Sequence, residues 1–205
     1  MTKTPGFTEG KLIAFDILTN GKKIRDTIEI TAIEIEQEVN LNDQAYITIN
    51  DERDDNKSFK VTNSETFKLD TNIEIKLGYD YAQFSVFKGT IHGQLLTNST
   101  ESDFLNIICK TNDIRPIDED FSKAPVLQID YEQDVIAYEL LLHKDNLTQI
   151  EGFVSFKGYA NTNVNDTLIL KNFGDKFNKI YRITKVIHHI SNGDWITTAN
   201  MISQP

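Results

Sequence analysis

The sequence predicts an all-β protein with little helix, and three observations carry that prediction. Residues 72–77 alternate strictly, with Ile73, Ile75 and Leu77 on one face and Asn72, Glu74 and Lys76 on the other, the period-two pattern of a half-buried strand. Short β-rich runs recur along the whole chain with Asn, Asp and Gly between them, as in a barrel or sandwich. No long apolar stripe of helical period appears, so only a short helix between strands is expected.

Taken in order, residues 11–18 (KLIAFDIL) read as a first strand, turned by Asn20-Gly21, a strong hairpin signal. In residues 27–41, Ile28, Ile30 and Ala32 alternate before Ile33 and Ile35 continue on the opposite parity. A one-residue phase change inside one β-run predicts a bulge or bend. Residues 44–50 (QAYITIN) form another alternating strand, and residues 51–60 (DERDDNKSFK) read as a charged, exposed loop. A long hairpin follows over residues 71–93, with turn chemistry at Gly78 and Asp80 and a return run through Phe84, Val86, Phe87 and Ile91. Gly89 and Gly93 within that run predict a bulge or a close backbone approach. Residues 103–110 (DFLNIICK) are a further strand, and the prolines and mixed charge of residues 111–125 mark a linker. Strands are then expected at 126–131, 135–142, 152–158 and 195–201, with a second hairpin over 167–190.

That second hairpin echoes the first. Leu168-Ile169-Leu170-Lys171 repeats the rhythm of Ile73-Glu74-Ile75-Lys76, 95 residues earlier, and both are followed by a Gly/Asp turn and a β-branched, aromatic return strand. An offset close to half the chain is what two copies of one β-unit would produce, although hairpins of unrelated origin share this composition.

Charge narrows the classes of partner. Lys and Arg number 21 against 31 Asp and Glu, a net charge of −10 over 205 residues, with no basic run. Such a balance argues against nucleic-acid binding and against an anionic membrane surface. No apolar run reaches the length of a membrane span, and the N-terminus has no apolar core of the secretory type, so synthesis in the cytoplasm is expected. Cys109 is the only cysteine and falls on an apolar register, which predicts a buried, inert thiol. His188 and His189 are adjacent in a strand and point to opposite faces, so they do not readily chelate one metal. His92 and His143 lack ligand-spaced neighbours, and the acidic residues 51–60 lack the spacing and glycine of a calcium loop. None of the sequence motifs of nucleophilic, zinc or phosphate-binding catalysis is present. No catalytic, cofactor or metal site is expected.

The second half, from Glu151 onward, resembles the closing barrel of the tail-hub family: the hub part of VgrG and the baseplate hub proteins of contractile phages and related injection systems. The glycine-bounded strand 152–158 carries the resemblance, with Asp166 before Leu168-Ile169-Leu170, then Gly174-Asp175 with Phe177-Asn178. So do the run 181–186 leading to His188 and the closing element 190–198. Residues 39–51, 67–78 and 86–91 resemble the family's first barrel. The resemblance implies two tandem tube-protein-like β-barrel domains with long hairpins, over residues 6–112 and 126–205, joined by a linker at 113–125. It implies no cofactor. The implied partners are further copies of itself, as a trimer forming a pseudo-sixfold ring or as a hexamer, the inner tube protein, a separate spike or tip protein, and baseplate components. Family members carry extra domains between residues 142 and 152 and a spike beyond the second barrel, so the resemblance is to a stripped-down hub. Edge strands or long hairpins would bridge subunits. The residues singled out for that role are Ile73, Ile75, Val86, Phe87, Gly89 and Ile91 in the first hairpin, and Leu168, Leu170, Gly174, Tyr181, Val186 and Trp195 in the second. The competing readings are a β-sandwich that binds carbohydrate or a receptor, which calls for aromatics clustered on loops, and an enzyme with an unrecognised carboxylate pair.

Overall fold

The computed structural model describes residues 4–5, 11–53, 55–99, 102–120, 126–142 and 149–204. The expected domain start at residue 6, the end of the linker, His143 and the terminal Pro205 lie outside them. The described residues form 13 strands and a single 3-10 turn at Glu65–Phe67, so the protein is all-β.

The strands are β1 (Ile13–Thr19), β2 (Lys22–Lys23), β3 (Glu29–Glu38), β4 (Asn42–Asn50), β5 (Asn72–Tyr79), β6 (Ala82–Asn98) and β7 (Asp103–Ile114) in the first half. The second half holds β8 (Leu127–Asp130), β9 (Val135–Leu142), β10 (Ile150–Lys157), β11 (Thr167–Lys171), β12 (Ile180–Ser191) and β13 (Asp194–Ser203). Asn20-Gly21 and Asn192-Gly193 turn their hairpins with positive φ at both residues, the twist that matches a right-handed β-ribbon. The phase change in β3 is a bulge between Ile30 and Ala32. It lets Ile33 and Ile35 keep facing the core.

Two departures from the sequence reading have local causes. Asp51 opens the charged loop yet is buried, because its carboxylate accepts hydrogen bonds from the backbone N–H groups of Val61 and Thr62 and from the Thr62 hydroxyl. A buried carboxylate needs such donors. Gly78 is not in the turn but in β5, opposite Gln83. Gly89 marks a close approach: a Cβ there would stand 2.4 Å from the Lys110 carbonyl oxygen and 2.8 Å from Phe87 Cζ. The bulge lies two residues on, between Ile91 and Gly93. Replacing Gly89 with valine is therefore expected to cost roughly 2–4 kcal/mol, read as a lowered urea midpoint. An unchanged midpoint would show that the strands do not approach this closely.

One strand order occurs twice. With the two-residue β2 set aside, the first half runs β1-β5-β6-β7-β4-β3 and the second runs β8-β11-β12-β13-β10-β9, so strands of the same rank along the chain take the same places. The pairs are antiparallel throughout, apart from β8 with β11, which are parallel where β1 and β5 are antiparallel. Two irregularities of the first unit recur in the second. His92 is skipped where β6 pairs with β7, and Thr184 is skipped where β12 pairs with β13. Thr31 is skipped where β3 pairs with β4, and Ile136 is skipped where β9 pairs with β10. Each bulge is an extra residue at one point of a ladder, and two at matching points align the units residue by residue.

The halves are joined rather than merely tethered. β3, at the edge of the first unit, pairs antiparallel with residues 185–191 of β12, from Lys185 opposite Glu38 to Ser191 opposite Ala32, and the sheet continues across. One core holds the first-half strands together with Ile190 and Trp195 of the second half; the other lies among β8–β13. The stretch after β7 is strapped down: Asn165 accepts from the Asp118 N–H and donates to the Pro116 carbonyl, and buried Arg182 donates to the carbonyls of Asp120 and Asn165.

Candidate assembly surface

Ten of the residues singled out in the two hairpins are buried within the chain: Ile73, Ile75, Val86, Phe87 and Ile91 in the first core with Trp195, and Leu168, Leu170, Tyr181 and Val186 in the second. Gly89 holds the β6–β7 approach and Gly174 is exposed in a turn with φ +85°. These residues shape the units. Surfaces open to other chains also lie on other residues.

Two strand edges stand out. β9 ends the path of the sheet and pairs only with β10 among the described residues. β6 pairs with β5 over residues 82–90 and with β7 over 90–98. From Gly93 to Asn98 its β5-side edge therefore has no strand partner among the described residues. Both edges expose large apolar side chains and carry little charge: Ile136, Tyr138 and Leu141 are exposed on β9, and Leu95 and Leu96 on β6. Glu139 is the single charge in β9, and neither edge carries proline. Soluble proteins ordinarily block free edges with lysine, proline or very short strands. The opposite end of the sheet is blocked in that way, by the two-residue strand β2, Lys22-Lys23. The continuation of β6 through Leu95-Leu96 escaped the sequence reading, because adjacent leucines break the alternation on which that reading rests.

The junction between β3 and β12 shows what such an edge looks like when covered. Ile33, Ile35 and His188 are fully buried there. On the outer face the Lys185 ammonium contacts Glu36 and Glu38, each at 3.2 Å, and His189 Nδ1 lies 3.1 Å from Glu34 Oε2. Burial alone would lower the Lys185 pKa, but its hydrogen bonds to Glu36 and Glu38 raise it on balance. His188 and His189 take opposite faces. His188 is enclosed beside Thr197 Oγ1 at 3.0 Å, and burial pushes its pKa down to about 3. His92 is exposed. Cys109 is buried, which pushes its thiol up to about 12 and leaves it a poor nucleophile. Among the described residues no three His, Cys, Asp or Glu side chains gather as a metal site. No helix of the described residues is long and apolar enough to cross a membrane.

Solved structures share this fold. The tail protein of Neisseria meningitidis MC58 matches with a TM-score of 0.66 at 9% identity, covering 94% of this chain and 96% of its own. The 43 kDa tail protein of prophage MuSo2 from Shewanella oneidensis matches with 0.69 at 6% identity, over 92% and 98%. The E. coli c3393 protein, a component of the type VI secretion system with structural similarity to the T4 bacteriophage tail proteins gp27 and gp5, matches with 0.59 at 6% identity, over 92% and 77%. The chain has the fold of these tail proteins. Residues 9–124 match the family described as the Alg8 N-terminal domain, and the chain belongs to that family. No curated protein matches it in sequence.

Proposed function

We propose that this protein is a non-catalytic structural hub of a contractile injection apparatus, such as a phage tail, a type VI system or an extracellular injection particle. It joins a sixfold inner tube to a threefold spike. The observation that carries this reading is the doubled unit: strand order and two bulges recur in one chain. Three copies of a doubled unit present six similar faces to a sixfold tube while keeping threefold symmetry for a spike. The tail-protein fold over more than nine-tenths of the chain supports the same role. Electron microscopy of the concentrated protein, or of the particle that contains it, tests the proposal. Class averages are expected to show a threefold ring with a six-lobed outline. A protein that stays monomeric when concentrated and occupies no ring in the particle refutes it.

A further inference from the structure

We infer that the free edge of β9 in one copy of this chain pairs antiparallel with residues 94–98 of β6 in the next copy, reproducing between chains the β3–β12 junction found within each chain. The inference rests on the ring reading above and adds the contact that builds the ring.

The two units correspond residue by residue. The pairing of β5 with β6 and of β11 with β12, together with the shared bulge, places Ile91 of β6 on Ile183 of β12 and Gly93 on Lys185. The pairing of β4 with β3 and of β10 with β9, with their shared bulge, places Ile33 on Tyr138 and Ile35 on Leu140. Within the chain, β3 lies against residues 185–191 of β12. The sister of β3 is β9, and the sister of that part of β12 is the last part of β6. Both sisters lack a strand partner on the corresponding side among the described residues. Carrying the junction's register over sets Gln94 opposite Leu142, Leu95 opposite Leu141, Leu96 opposite Leu140, Thr97 opposite Glu139 and Asn98 opposite Tyr138.

Exposure follows the same equivalence. His188 is 0% exposed inside the junction, and its sister Leu96 is 42% exposed; Ile33 is 0% exposed, and its sister Tyr138 is 48% exposed. The edges leave open to solvent what the junction covers. Face parity agrees too: Leu140 and Leu142 pack against the second core as Ile35 packs against the first, while Leu141 and Glu139 take the outer face as Glu36 and Glu34 do. Where the junction places Ile187 opposite Glu36, the contact between chains brings Leu95 against Leu141, an apolar cross-strand pair that favours association. The contact is heterologous, each chain offering β9 to one neighbour and β6 to the other. It therefore propagates in one direction and closes as a ring if the rotation allows.

The test uses cysteines on the outer face, where they leave the core intact, with Cys109 buried as a silent background. Chains carrying Thr97→Cys are mixed with chains carrying Glu139→Cys, assembled and mildly oxidised. Directly opposed positions in an antiparallel pair are close enough for a disulfide. The expected result is a reducible dimer in the mixture alone, and a loss of the monomer band in favour of larger reducible species when both substitutions share one chain. The pair Thr97→Cys with Leu141→Cys, out of register, should cross-link far less. Hydrogen exchange at amides 94–98 and 137–142, compared between dilute and assembled wild-type protein, gives a readout that needs no substitution, and exchange at both edges is expected to slow on assembly. A threefold ring that shows neither cross-link nor protection overturns this contact and leaves the hub reading standing. A monomer under all conditions overturns both.

Discussion

Replacing Gly158 with alanine is expected to destabilise the protein by more than about 3 kcal/mol and lower its melting temperature by roughly 10 °C. The added Cβ would stand 1.9 Å from Cδ2, 2.2 Å from Cγ and 2.4 Å from Cε3 of Trp195, where carbon atoms in contact normally keep about 3.5–4.0 Å apart. The indole is almost fully buried, stacks on Tyr79 with ring centroids 5.2 Å apart, and sits 5.8 Å from His188. The backbone is fixed as well, since the Gly158 N–H donates to the Trp195 carbonyl at 2.9 Å. Trp195 is the only tryptophan, so its fluorescence reports the damage alongside a thermal melt. Gly174→Ala is the comparison: its Cβ meets nothing within 4 Å and only its φ of +85° is strained, so a cost of about 1 kcal/mol is expected. A Gly158→Ala protein melting within a degree of wild type would mean that the indole does not lie across this glycine.

The second large effect is acid lability centred on His188. Its pKa falls from 6.5 to about 3 in the fold because the ring is fully buried. The unfolded chain therefore binds a proton below pH 6.5 that the folded chain refuses until about pH 3. The stability contributed by the neutral ring is fully present above that upper value and is lost as pH falls, by up to about 1.4 kcal/mol per pH unit. Burial raises the pKa of Asp134 and Asp166; these groups act in the opposite sense and flatten the wild-type profile, so a variant is needed to isolate the histidine. His188→Leu, the residue found at the sister position Leu96, is expected to remove this acid-dependent loss. Urea denaturation at several pH values between 7.5 and 4.5 checks it, and parallel profiles for the two proteins would rule out a buried neutral imidazole. Because His188 lies opposite Ile35 in the β3–β12 pairing, the loss is expected to begin at the junction between the units.

Much of the fold could be read from the chain because it is written locally. The alternation of Ile73, Ile75 and Leu77, the Asn20-Gly21 turn and the parity change in β3 are each decided within a few residues by pleat and turn geometry. The echo between residues 73–76 and 168–171 falls on β5 and β11, which take the same place in their units. What could not be read depended on partners far along the chain. Asp51 is in a charged run but is enclosed by backbone donors at Val61 and Thr62. Trp195 belongs by sequence to the second half and packs in the first core. Alternation correctly places one face of a strand inside, yet it does not say whether a neighbouring strand or a neighbouring molecule lies along the edge. That is why ten of the hairpin residues singled out for assembly are buried within the chain.

By itself the sequence determined an all-β chain, its strands and turns, and an echo between its halves, since φ/ψ preference and the period of two are properties of neighbouring residues. Only the tertiary structure decided that β3 seals against β12 while β9 and the end of β6 have no strand partner on one side among the described residues. Edge pairing joins residues some 150 positions apart. It depends on how the chain closes in space, which the neighbours along one strand do not decide.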